Sequence, residues 1–179
     1  MKKILTVIDM QKDFTTGPLG NAECAAAIGP VVREITSGRY DKIYVTYDTH
    51  HEDYMETREG RFLPVPHCIE GSEGWQLADE IEAALVSVSS GIVRIRKPTF
   101  GSTALQAAIV NDLANTPEGI EVTIVGVCTG ICVISNAMLI KAACPEIDVR
   151  VISDACACVS PETHRTALEA MRLCQIEVK

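Results

Sequence analysis

The chain alternates two apolar patterns, and that alternation constrains its fold more than any other feature. Short β-branched runs recur at Lys3–Ile8, Lys42–Tyr47, Gly91–Ile95, Glu121–Gly126, Val149–Ser153 and Gln175–Val178. They are nearly continuous in hydrophobicity, as strands buried on both faces are. Between them lie segments of helical period: Ala22–Ser37, Gly74–Ser89, Ser102–Ala114, Cys132–Ala143 and Pro161–Leu173. Ser102 and Ser160 stand where they would cap helix starts, and Pro161 suits a first helical turn. A repeated strand–helix order predicts an α/β three-layer sandwich, a parallel sheet with helices on both faces. No linker or repeat divides the sequence, so residues 1–179 are read as a single domain, long enough to bury a sizeable core.

Composition excludes several function classes. The chain is 47% hydrophobic and 22% charged, a globular rather than disordered balance. Its net charge of −8 argues against nucleic acid and anionic membrane surfaces, which require a basic patch. The apolar run after the N-terminal lysines ends at Asp9, too early for a signal peptide, and no window approaches a membrane span. A cytoplasmic location is expected. There the eight cysteines do not make a disulfide framework, and without paired CxxC motifs they do not make a structural zinc site.

The polar residues fall where an open parallel sheet binds ligands, outside the carboxyl ends of its strands. Asp9 follows the first strand, Asp48 and His50 the second, Lys97 the third, and the turn Cys128–Cys132 the fourth. This placement predicts one shared pocket. Cys132 opens a predicted helix after Gly126 and Gly130, where the helix dipole favours a thiolate and backbone N–H groups are free to receive an oxyanion. It is the candidate nucleophile, with packing of both cysteines as the competing reading. Asp9 is the better-placed base, because desolvation at a strand end raises a carboxyl pKa. Lys97 would hold the pair by charge. Each of the two has a bland alternative, a turn cap for Asp9 and a solvated surface charge for Lys97.

The long irregular stretch from Asp48 to Glu73 holds three of the four histidines and reads as an active-site loop. Asp48-x-His50, with His51 adjacent and His67 further on, offers a carboxylate and imidazoles for a divalent transition metal. A hydrated loop with ordinary hydrogen bonds explains the same residues.

Taken together, IDMQKDF (Ile8–Phe14), YDTHHED (Tyr47–Asp53), PHCIEGSEG (Pro66–Gly74), RKPTFGST (Arg96–Thr103), VGVCTGICV (Val125–Val133) and SDACA (Ser153–Ala157) resemble the isochorismatase-like cysteine hydrolases, and among them the nicotinamidase-related amidases. They run in family order through about the whole chain. The resemblance implies a six-stranded parallel sheet of Rossmann-like topology without dinucleotide binding. It implies a triad at Asp9, Lys97 and Cys132, and metal ligands at Asp48, His50 and His67. It also implies a cis Val127–Cys128 peptide, an oxyanion hole from the backbone N–H groups of Cys128 and Cys132, and Phe14 in the pocket wall.

The activity so implied is hydrolysis of a small carboxamide, nicotinamide or a related amide, through a thioester. One divalent metal would orient the substrate, zinc by default with iron or manganese open, and the protein is expected to form a homo-oligomer. Two positions depart from the pattern. Pro64 stands three residues before His67, where nicotinamidases carry a tryptophan, and Gly130 stands where an acidic residue is common. A ureido compound or vinyl ether as substrate, or a non-catalytic metal-binding role, are the alternatives.

Overall fold

A computed structural model describes residues 1–179. Strands β1 (Lys2–Ile8), β2 (Lys42–Asp48), β3 (Gly91–Lys97), β4 (Ile120–Val127), β5 (Asp148–Ala157) and β6 (Glu177–Val178) form one six-stranded sheet, in the order β3-β2-β1-β4-β5-β6. Every pairing is parallel. β1 and β4 lie side by side at the centre, and the chain winds away from them in both directions. Their carboxyl ends flank the crevice in which such sheets place ligands.

Helices cover both faces. They are α1 (Lys12–Thr15), α2 (Ala22–Ile35), α3 (Arg58–Phe62), α4 (Asp79–Ser87), α5 (Thr103–Ala114), α6 (Ile134–Ala143) and α7 (Pro161–Leu173). The strands' period of two divides the core. Ile4 and Ile8 of β1 pack with Leu105, Ile109, Val133, Ala137 and Leu168, on the side of α5, α6 and α7. Leu5 and Val7 pack with Cys24, Val31, Ile35, Ile81 and Leu85, on the side of α2 and α4. The predicted caps form: Ser102 accepts from Leu105 N, and Ser160 closes a capping box with Thr163 ahead of Pro161.

Four expectations need correction. β3 is an edge strand and much of it is exposed, so its apolar run is not buried on both faces. The helix predicted over 74–89 shrinks to α4, because the backbone before it pairs with the β1–α1 segment: Lys12 N–H donates to Gln76 O (2.8 Å) and Asp13 N–H to Gly74 O (3.0 Å). The loop from Asp48 to Glu73 is not structureless, since it carries a short 3₁₀ turn (Tyr54–Glu56) and α3. Finally, Cys132 does not open α6. It sits within a wide π-helical turn (Thr129–Val133) that leads into that helix, a feature that recurs at functional sites.

Candidate active site

β1 ends in Asp9, whose backbone adopts a left-handed φ of 49°. A non-glycine residue holds such a conformation only where its surroundings enforce it. Here Asp9 N–H donates to Thr46 Oγ1 (3.2 Å), and the same hydroxyl donates to Asp9 Oδ1 (2.6 Å). Asp9 Oδ2 pairs with Lys97 Nζ (2.6 Å). Lys97, at the end of β3, also reaches Cys132 Sγ (3.5 Å), Asp48 Oδ1 (3.3 Å) and the carbonyl of Thr99 (3.1 Å). Lys97 Nζ thus touches both Asp9 and Cys132, and all three residues are buried.

β4 delivers the turn that carries Cys132. Gly126 has φ of 119°, and a Cβ there would lie 2.1 Å from Ile8 O, so only glycine lets β4 close against β1 at this point. The Val127–Cys128 peptide is cis. The Cys128 carbonyl accepts from Ile131 N–H (3.0 Å) and Val133 N–H (3.1 Å). The Cys128 N–H itself is engaged by no carbonyl or side chain.

The electrostatics divide the triad. Burial raises the Asp9 pKa, against the opposing charge of Lys97. Burial would lower Lys97, but Asp9, Cys132 and Asp48 hold it above its ordinary value. The Cys132 thiol is pushed well up, first by burial and then by Asp9, and Lys97 offsets only part of this. The expected thiolate at a helix start is therefore reversed. In the resting site the proton stays on sulfur, and the desolvated carboxylate beside it is the group positioned to remove it.

Asp48, at the end of β2, faces two ways. Its Oδ1 meets Lys97, while its Oδ2 lies 3.0 Å from His50 Nε2 and 3.4 Å from His67 Nε2. Burial would raise the Asp48 carboxyl, but hydrogen bonds from His50 and His67 and the charge of Lys97 hold it well below the usual carboxylate range. Glu59 Oε1 completes the group, 3.7 Å from His50 Nε2 and 3.8 Å from His67 Nε2. One ligand atom from each of Asp48, His50, Glu59 and His67 falls within 4.8 Å of the others. His67 Nδ1 lies 2.8 Å from Val65 O. That contact holds a proton on Nδ1, so a bound metal would displace the Asp48 contact and take Nε2. Two imidazoles and two carboxylates suit zinc, iron or manganese. His51 is exposed and lies outside this group.

The cysteine and the metal-type cluster open into one cavity of about 410 Å³, lined by Phe14, Leu19, Asp48, Glu59, Leu63, His67, Phe100, Cys128, Ile131 and Cys132 among others. The Phe14 ring lies 5.3 Å from that of His67. A second hollow of about 830 Å³ adjoins it and shares Glu59, Leu63, Phe100 and Ile131. Pro64 is exposed and puts no ring over the cluster. Trp75 does not replace the missing tryptophan. It packs on Tyr47 (5.3 Å between centroids) beneath Arg96, and its Nε1–H donates to Thr49 Oγ1 (3.0 Å).

A model of the isochorismatase domain matches residues 3–178. The chain belongs to the isochorismatase family. Solved structures with the same fold include a nicotinamidase from Bacillus subtilis (25% identity, covering 99% of this chain and 99% of that chain, TM-score 0.80). A pyrazinamidase of Pyrococcus horikoshii in complex with zinc matches at 25% identity, with 100% and 99% coverage and a TM-score of 0.74. An N-carbamoylsarcosine amidase from Thermoplasma acidophilum matches at 24% identity, with 100% and 96% coverage and a TM-score of 0.73. A search of curated protein sequences finds no match.

Three residues of the site are not marked by the sequence patterns. Glu59 is delivered by α3, a helix too short to leave a periodic signal. Gln11 is fully buried and staples Asp48 in place: Asp48 N–H donates to Gln11 Oε1 (2.8 Å), and Gln11 Nε2 donates to Asp48 O and Trp75 O (2.9 Å each). Asn136 donates to Cys132 O (2.8 Å) and accepts from Ser102 N–H (2.9 Å), which ties the Cys132 turn to the segment after Lys97.

Proposed function

We propose that the protein is a cysteine-dependent amidohydrolase that cleaves a small carboxamide. The observation that carries the reading is Lys97 Nζ joining the Asp9 carboxylate to the Cys132 sulfur, with Cys132 lining a cavity that Asp48, Glu59 and His67 also line. Membership of the isochorismatase family, with nicotinamidase and pyrazinamidase structures among its likenesses, supports amide chemistry.

In this mechanism Asp9 takes the Cys132 proton as sulfur attacks the carboxamide carbon. Lys97 keeps its proton and balances the charge passing between sulfur and carboxylate. The backbone N–H groups of Cys128 and Cys132 receive the developing oxyanion, and the unengaged Cys128 N–H supports that role. Protonated Asp9 donates to nitrogen, ammonia leaves and a thioester remains. Asp9 then deprotonates a water that attacks the thioester, and the acid product and free thiol return. Asp48, His50 and His67 would hold a divalent metal, and Glu59 is placed to join them. When bound, that metal supplies a Lewis-acidic anchor for a ring nitrogen or polar substituent of the substrate. Phe14, Leu63, Phe100 and Ile131 make the apolar walls for the acyl group.

The replacement of a ring-stacking tryptophan by exposed Pro64, and the breadth of the adjoining hollow, favour a second reading for the substrate alone: an amide or ureido compound larger than nicotinamide. A panel assay separates the two. Ammonia release by metal-loaded protein from nicotinamide, pyrazinamide and N-carbamoyl amino acids, each with a Cys132→Ala control, ranks the substrates. Silence toward the whole panel would contradict the amidase reading.

A further inference from the structure

Three thiols converge behind the catalytic turn, and the mechanism uses none of them. β4 and β5 run in parallel register as far as Val127 and Ala157, so Cys128 and Cys158 leave the sheet at neighbouring positions. Cys24 Sγ donates to Cys158 O (3.8 Å). Cys24 comes from α2, Cys128 from the end of β4, and Cys158 from the β5–α7 connection. Cys158 receives Gly130 N–H on its sulfur (3.3 Å), and a Cβ at position 130 would sit 3.3 Å from that sulfur. Gly130 thus lets the turn rest directly on Cys158.

The pair Cys128–Cys158 forms a wall between two hollows. Cys128 lines the catalytic cavity. Cys158 lines a separate cavity of about 280 Å³ with Ser153, Cys156, Ser160 and His164. A small oxidant therefore has a route to Cys158 that does not pass through the catalytic cavity. Hydrogen bonds from Cys128, Thr163 and the N–H groups of Gly130 and Val159 outweigh burial and bring the Cys158 pKa down to about 5. A thiolate supported in this way is the reactive form toward hydroperoxides.

We propose that Cys158 and Cys128 are a peroxide-reactive pair whose disulfide disables the catalytic turn. The Cys158 thiolate attacks one oxygen of a hydroperoxide. An S–O bond forms, the O–O bond breaks, and the departing oxygen leaves as water or alcohol after taking a proton from solvent. The Cys128 sulfur then attacks the sulfenic sulfur. An S–S bond forms, the S–O bond breaks, and the hydroxide leaves as water with the Cys128 proton. The two thiols lose two electrons and the peroxide gains them. A dithiol reverses the step by exchange. The new bond draws the two sulfurs to about 2.05 Å, which pulls on the residue whose N–H faces the developing oxyanion. That functional consequence rests on the amidase reading; formation of the disulfide does not.

The test treats full-length reduced protein with hydrogen peroxide, blocks the remaining thiols with iodoacetamide, and digests with trypsin. Peptide Lys97–Lys141 carries Cys128, and Val151–Arg165 carries Cys158. Mass spectrometry should find these two peptides cross-linked in the native protein and in Cys24→Ser, but not in Cys158→Ser or Cys128→Ser. Amidase activity should fall by about 10²-fold, the loss expected for one displaced oxyanion donor, and return with dithiothreitol. Cys158→Ser should keep its basal activity and resist peroxide. Inactivation without the cross-link, or the cross-link with activity intact, overturns the proposal. A cross-linked protein that shows no amidase activity even when reduced sinks the amidase reading instead and leaves the thiol pair standing.

Discussion

Cys132 and Cys158 are both buried, and both touch the turn from 128 to 133, yet their surroundings drive the two thiols in opposite directions. Cys132 faces a carboxylate, and burial together with Asp9 keeps its proton on sulfur. Cys158 accepts Gly130 N–H on its sulfur (3.3 Å), and hydrogen bonds outweigh burial to favour its thiolate. Burial raises both thiols; at Cys132 Asp9 adds to that effect, whereas at Cys158 hydrogen bonds outweigh it. The difference suits two chemistries. A thiol that releases its proton only to an adjacent base turns over with substrate, and a standing thiolate reacts with whatever electrophile reaches it.

Variants can break this contrast, and the largest effect is expected at Asp9. Asp9→Asn removes the carboxylate proposed as base but leaves Lys97 beside the sulfur. Turnover should drop by roughly 10²–10⁴-fold, while alkylation of Cys132 by iodoacetamide at neutral pH becomes faster. A parallel loss of both would mean that Asp9 activates the thiol in the resting protein. Next comes Lys97→Met, which strips a buried cation from Asp9 and Asp48 together. Chemical denaturation should register a loss of about 3–5 kcal/mol, and an unchanged midpoint would show that the two carboxylates are neutral in the native state.

The metal-type cluster offers a graded comparison. His67→Ala should weaken zinc binding by at least about 10–100-fold and raise KM more than it lowers kcat. Glu59→Gln should cost less, since Glu59 is the more exposed and distant member. Calorimetric titration of the apoprotein with zinc measures both, and equal losses would make Glu59 a full ligand. Gln11→Leu, which leaves the Asp48 backbone unpartnered, should destabilise by about 1–3 kcal/mol. The smallest signal is spectroscopic. The 240 nm thiolate absorbance lost in Cys158→Ser, relative to the native protein, should be present at pH 7 and disappear as pH falls through about 5. A midpoint near 9 would erase the contrast between the two cysteines.

Much of the fold was legible in the sequence because each strand carries its own β-branched run and a parallel sheet hides most of them. Edge position was not legible: the β3 run GIVRIRK resembles the others, and only topology exposes it. The residues Asp9, Asp48, Lys97 and Cys132 stood out because strand ends converge in such a sheet. Glu59 and Asn136 did not, since one lies on a five-residue helix and the other on a helix already explained by packing. The thiol cluster was invisible for a simpler reason. Cys24 and Cys158 are 134 positions apart, and no local pattern links them to Cys128.

Cys132, with Asp9 as its base, is proposed to hydrolyse a small carboxamide. The direct measurement is ammonia release by the metal-loaded protein from a carboxamide panel that includes nicotinamide, run beside Cys132→Ala. Release from at least one member that vanishes in the variant is the expected result. Release that persists in Cys132→Ala would contradict it.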